Sequence, residues 1–229
     1  MNPMKDSYSL AQQAYTVIKK DILTCALDPG SRIAQPELVK RYDFGITPIR
    51  EALKRLEHEG FIQSIPRYGY LISPVTIKDV EDLYDLRLVL ESSSVQKAIA
   101  SASDTQLEQL LEQANFTYVF KDRDSYLQFL DQNIAFHTAI ARAAGNQRMA
   151  EIVGGILGEM TRIFNLGLDL RDSAAEMRAE HIALVKAMLE RNAGLAVQLI
   201  EAQITSSRLR VLEMINQRLS RIPLQEYRF

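Results

Sequence analysis

Tryptophan is absent from the 229 residues, cysteine occurs once, at Cys25, and histidine only three times. A lone cysteine excludes an internal disulfide framework and a cysteine-based zinc site. No apolar run approaches the roughly 18 residues needed to cross a bilayer. The opening stretch MNPMKDSYSL has no apolar core of the kind a secretory signal carries. A cytoplasmic location is therefore expected. What is present fits a globular protein: 47% of residues are apolar and 24% charged, enough for a sizeable core in one large or two modest domains.

Charge is also scarce in net terms, but it is unevenly spread. The total of −2 divides into +2 over residues 1–74, with 10 Lys/Arg against 8 Asp/Glu, and −4 over residues 75–229, with 17 against 21. A net of +2 is by itself weak evidence for a nucleic-acid partner.

Periodicity divides the chain at the same place. Leu10, Ala14, Val17, Ile18 and Ile22 recur at helical spacing, and Pro29-Gly30 breaks the pattern. QPELVKRY predicts a short helix with Pro36 in its first turn, and TPIREALKRLEHEG a second, with Thr47 as N-cap, Pro48 at its first position and Gly60 at its end. FIQSIPRYGYLISPV alternates and turns between Pro66 and Gly69, a two-stranded hairpin. Three helices and a hairpin is the order of a winged helix-turn-helix, over residues 8–74. Beyond Pro74 the pattern predicts helices near 77–101, 104–120, 124–143, 147–168, 173–191 and 194–220. The fold class is thus mainly α: an N-terminal winged helix-turn-helix plus a C-terminal all-α bundle of six or seven helices over residues 77–222. Glycines are nearly absent from the bundle's helix interiors except Gly154, Gly155 and Gly158, which suit close packing or ligand approach.

On the TPIREALKRLEHEG helix, Ile49, Ala52, Leu53 and Leu56 form the inner face, while Arg50 and Lys54, four apart, share an outer one. Thr47 sits at the N-terminal tip, where backbone N–H groups and the helix dipole favour phosphate. Arginine reads guanine edges in the major groove, and lysine neutralises phosphate. Arg67 and Tyr68 at the hairpin tip are placed to reach an adjacent groove or backbone. Spacing alone equally accommodates an ordinary amphipathic helix with a solvated basic face.

In the bundle, polar residues interrupt apolar stripes. Asn133 and His137 lie in the stripe of Tyr126, Leu130 and Ile140; His181 in that of Met177, Leu184, Val185 and Met188; and Arg87 between Leu83 and Leu90. His181 and Gln203 are each about 16 Å from the Arg191–Gly194 turn at ~1.5 Å per residue, which puts them at one level of an antiparallel pair. Burying a neutral polar group without a partner costs roughly 2–7 kcal/mol. Arg87, Asn133, His137, His181 and Gln203 are therefore expected to line a wet or ligand-filled cavity, with a small carboxylate as effector opposite Arg87. Core histidines satisfied within the protein are the plain alternative.

The stretch LDPGSRIAQPELVKRYDFGITPIREALKRLEHEGFIQSIPRYGYLISPV resembles the DNA-binding domain of GntR-family transcription regulators. It carries the Pro29-Gly30 turn, the TP-I-REAL block at 47–53, RLE-x-EG at 55–60 and the RYGY wing at 67–70. Downstream, DLYDLRLVLE (82–91) and FHTAIARAAGN (136–146) resemble the all-helical FCD effector domain of the FadR-like subgroup. The resemblance implies DNA contact at Thr47 and Arg50, and a wing glycine at Gly69. It departs at Gly45-Ile46, where the family usually has Ser-Arg, and at Pro36, where some members carry an arginine. Many members hold a divalent metal with an Asp and three His; the corresponding positions here are Asn133, His137, His181 and Gln203. With two ligands replaced by neutral amides, only His137 and His181 remain for a weak zinc or nickel site. No cofactor is expected to be required.

The expected function is a ligand-responsive, DNA-binding transcription regulator, most simply a repressor, that acts as a homodimer on double-stranded operator DNA and couples sensing to DNA through the junction at residues 73–79. The contrasting reading is a helical metalloenzyme using His137 and His181. The missing carboxylate ligand and the lack of a nucleophile constellation count against it, so no enzymatic activity is expected.

Overall fold

The computed structural model describes residues 9–168 and 171–219, and these form two compact units, the first ending at Val75 and the second beginning at Thr76. The predicted outer limits of the two domains, residue 8 and residues 220–222, lie outside the described residues.

The first unit runs α1 (Leu10–Leu23), β1 (Arg32–Ile33), α2 (Gln35–Tyr42), α3 (Ile46–His58), β2 (Ile62–Ile65) and β3 (Gly69–Ile72). Ser9 starts α1 by accepting a hydrogen bond from the Gln12 amide at 3.2 Å. Ala14, Ile18 and Ile22 of α1 pack against Ile49, Leu53 and Leu56 of α3, and Ile33, Ile62 and Ile72 close the core from the sheet. The sheet has three strands in the order β1-β3-β2, all antiparallel, rather than the two predicted. Its third strand, Arg32–Ile33, is too short for alternation to reveal: only pairing with Tyr70 and Leu71 defines it. Helix α3 begins one residue before the predicted cap. Gly45 is the N-cap and makes no side-chain hydrogen bond, so Thr47 and Pro48 fall inside the first turn, where a missing N–H goes unnoticed. Gln35 Nε2 donates to the Ile46 carbonyl at 3.2 Å and ties the start of α3 to α2.

The second unit contains α4 (Ile77–Ser101), α5 (Asp104–Gln113), α6 (Arg123–Ala143), α7 (Gln147–Gly167), α8 (Ala174–Leu189) and α9 (Ala193–Leu219), six helices among the described residues. Side-chain caps mark several starts: Thr76 with Asp79, Ser103 with Gln106, Asp122 and Asn146. Helix α5 stops at Gln113, well short of the predicted residue 120. The residues that follow Asn115, FTYVF, are all aromatic or β-branched; residues 115–119 form no regular element, and Phe116 and Tyr118 both turn inward onto Phe129. Gly154 of α7 faces Thr138 of α6 so closely that a Cβ would lie 3.2 Å from the hydroxyl, whereas Gly155 and Gly158 face open space. No helix among the described residues is long and apolar enough to cross a membrane.

Candidate functional site

Two surfaces combine polar groups in ways the fold itself does not require. The first is the outer face of α3 and the hairpin tip. Because Ile49, Ala52, Leu53 and Leu56 are buried, the helical period turns Thr47, Arg50 and Lys54 to solvent. Neither Arg50 nor Lys54 forms an ion pair with any described residue. Arg55, by contrast, is committed internally: it donates to Glu59 at 3.1 Å and Gln12 at 2.7 Å, and its guanidinium lies 3.7 Å from the centre of the Tyr15 ring. At the hairpin tip Arg67 adopts φ 69° and Tyr68 is 68% exposed. Gly69 has φ 93°, and a Cβ there would meet the Ile33 carbonyl oxygen at 2.6 Å. The glycine is needed for strand β1 to come alongside.

The second surface is internal. Tyr84, Arg87 and Glu91 follow one another at helical spacing along the buried face of α4. Asn133 and His137 do so on α6, and Gln203 and Ser207 on α9. Arg87, Asn133, His137, Gln203 and Ser207 line one cavity of about 20 Å³. His181 does not reach its wall; the ring stacks in an aromatic cluster, 4.7 Å from Phe116, 4.9 Å from Phe136 and 5.4 Å from His137 between centroids.

The residue that spacing missed is Glu91. Arg87 Nε donates to its Oε1 at 2.6 Å, and His137 Nδ1 lies 2.7 Å from its Oε2. All three side chains are at most 4% exposed. Burial pushes the Glu91 carboxyl upward, but the Arg87 charge and then His137 outweigh it and bring it down to about 2. Burial likewise works against the Arg87 charge, and Glu91 more than restores it. Burial, then electrostatic interaction with His137 and with the Arg87 guanidinium, pushes the His181 imidazole well below its ordinary range, so it is neutral. The signal for Glu91 was available: it stands four residues after Arg87, the spacing that makes a helical ion pair.

Several buried polar atoms have no hydrogen-bond partner among the described residues: Arg87 Nη1, His137 Nε2, both nitrogens of His181 and Gln203 Oε1. Those of Arg87, His137 and Gln203, on the cavity wall, mark a place for a small polar guest. The donor set does not suit a resident zinc or nickel ion. Residues 133 and 203 offer neutral amides, the nearest carboxylate is held by Arg87 and His137, and His181 lies off the cavity wall. Among the described residues no three His, Cys, Asp or Glu side chains gather to hold a metal.

A winged helix-turn-helix with an outward basic helix, followed by an all-helical unit, defines a DNA-binding transcription regulator. Residues 10–72 match the model of bacterial regulatory proteins of the gntR family, and residues 82–206 that of the FCD domain. The chain belongs to the GntR family and carries an FCD domain. Among its relatives, the HTH-type transcriptional regulator YdhC of Bacillus subtilis (strain 168) is 29% identical over 191 residues, 81% of this chain and 84% of that one. The HTH-type transcriptional repressor RspR of Escherichia coli (strain K12) is 24% identical over 184 residues, 79% of each. A GntR regulator from Rhodococcus sp. RHA1 shares the fold with a TM-score of 0.70 at 19% identity, covering 90% of this chain and 99% of that one.

Proposed function

We propose that the protein is a repressor that binds operator DNA as a homodimer and responds to a small organic acid taken up in its helical unit. The DNA half of this reading rests on the outer face of α3, where Thr47, Arg50 and Lys54 are exposed and the two cations are uncommitted. In the reading, Arg50 meets base edges, Lys54 and the α3 N-terminus meet phosphate, and Arg67, Tyr68 and Gly69 form a wing that reaches the neighbouring groove. Repression is supported by relatives named as repressors, RspR among them.

The sensing half rests on the orphaned atoms of Arg87, His137 and Gln203, joined by Asn133 on the same cavity wall. A ligand that pairs with them removes a desolvation cost the free protein bears, and so shifts the population of its states. No resident metal is needed for this: the guest would hydrogen-bond the side chains directly. The junction at residues 73–79 would pass the shift to the winged unit. The test is to select an operator from a random duplex pool, then titrate it with small carboxylates. Release of the operator is expected with at least one acid, and an operator affinity indifferent to every acid would overturn the sensing half.

A further inference from the structure

Beside the polar cavity lies a second, larger chamber that the reading above leaves unused. We propose that the sensed acid is a monocarboxylate with a compact apolar body, which fills this outer chamber and sets its carboxylate on Arg210, while only its far polar group or one water reaches the inner cluster. The proposal rests on the sensing reading and names the ligand class and its principal contact.

Space is the first argument. The inner cavity, about 20 Å³, holds one water or one functional group, since a water needs roughly 10–15 Å³ by the same measure. The outer chamber is about 120 Å³, and its walls include Tyr118, Phe164, Leu168, Met177 and Val211. A dry cavity of about 150 Å³ accommodates benzene, so this chamber suits a ring or a branched chain of about that size once its walls adjust slightly. Phe164, Leu168, Met177, Ser207 and Arg210 belong to the walls of both, so one ligand can extend from one into the other.

Charge is the second. Arg87 is already balanced by Glu91 at 2.6 Å and has one nitrogen left to offer. Arg210 is held loosely, 3.4 Å from Glu176 and 3.8 Å from Glu180, and its Nη2 is buried without a hydrogen bond. Glu176 is shared with Arg171, which it meets at 2.8 Å, and burial pushes the Glu180 carboxyl up toward its neutral form. Arg210 therefore has Nη2 still to fill, and a carboxylate that displaces the long 3.4 Å bond from Nη1 to Glu176 completes a fork of two parallel hydrogen bonds. The other two guanidinium groups on these walls are already closely paired, Arg171 with Glu176 at 2.8 Å and Arg87 with Glu91 at 2.6 Å, so a second carboxylate on the ligand would find no open fork. That selects a monoacid. Binding would move Arg210 of α9 off Glu176 and Glu180 of α8, changing how these two helices are tied.

Isothermal titration calorimetry on the full chain tests this with benzoate and 3-methylbutanoate, their carboxamides, and gluconate and citrate for comparison. At least one monoacid is expected to bind ten-fold or more tightly than its own amide and than citrate or gluconate. Arg210→Gln should weaken it at least ten-fold, and Met177→Trp, which fills the chamber, should abolish it. Should Arg210→Gln fail to fold, the acid-against-amide ratio on the unaltered chain decides. Equal affinity for acid and amide, or undiminished affinity in folded Arg210→Gln, overturns the proposal. If gluconate or citrate binds best and releases the operator, the monoacid assignment falls and the sensing reading stands; if no acid of either kind binds or releases it, both fall.

Discussion

Arg87 and Glu91 are both nearly excluded from solvent, and each is tolerable there only because the other is. Breaking such a pair leaves an uncompensated buried charge, whereas replacing both partners with apolar groups of similar volume is often neutral or better. Glu91→Gln is therefore expected to destabilise the helical unit by ~3–5 kcal/mol, and Arg87→Met combined with Glu91→Leu to recover most of the loss, as read from urea unfolding. His181 makes a second prediction. Its folded imidazole resists protonation, so below its ordinary value of 6.5 the unfolded chain takes up a proton that the folded chain refuses. That contribution is present above pH 6.5 and is lost as pH falls. His181→Phe, which keeps a ring between Phe116 and Phe136, should flatten the decline in stability between about pH 7 and pH 5, measured by thermal unfolding across that range. Glu91 adds a separate acid limb, since its stabilising effect is full above 4.5 and disappears as pH falls toward about 2.

At the level of elements, α3 and its wing can be tested apart from the rest. Arg50→Ala should cost ~1–3 kcal/mol in affinity for a selected operator and much less for random duplex, by fluorescence anisotropy at fixed salt. Lys54→Ala should instead weaken both alike and reduce the salt dependence. Gly69→Ala adds a Cβ at 2.6 Å from the Ile33 carbonyl oxygen on backbone with φ 93°, so the β1–β3 pairing should loosen and the winged unit lose stability by ~1–3 kcal/mol in chemical unfolding. Most helices were legible in the sequence because each buries one stripe and exposes the other. The exceptions have local causes. Helix α5 ends early since Phe116 and Tyr118 are claimed by the bundle core, and the two-residue strand β1 carries too few residues to show a period.

For the molecule as a whole, the division after Val75 gives each unit its own hydrophobic core, Ile18, Ile49 and Leu53 in the first and Val153 and Leu157 among others in the second. Calorimetry should accordingly resolve a transition that Glu91→Gln lowers and another that it leaves in place.

Periodicity and capping residues determined by themselves the mainly helical class, the winged order of the first unit and the outward placement of Arg50 and Lys54, because a stripe three or four residues apart can be buried on only one side. Sequence spacing also drew Arg87, Asn133, His137, His181 and Gln203 inward. Only the tertiary structure decided which of them share a cavity, since that depends on the rotation of four helices against one another. It set His181 among phenylalanines, brought His137 against Glu91, and opened a chamber beside Arg210. Partners contributed by different helices are fixed by packing, and no pattern along a single helix encodes them.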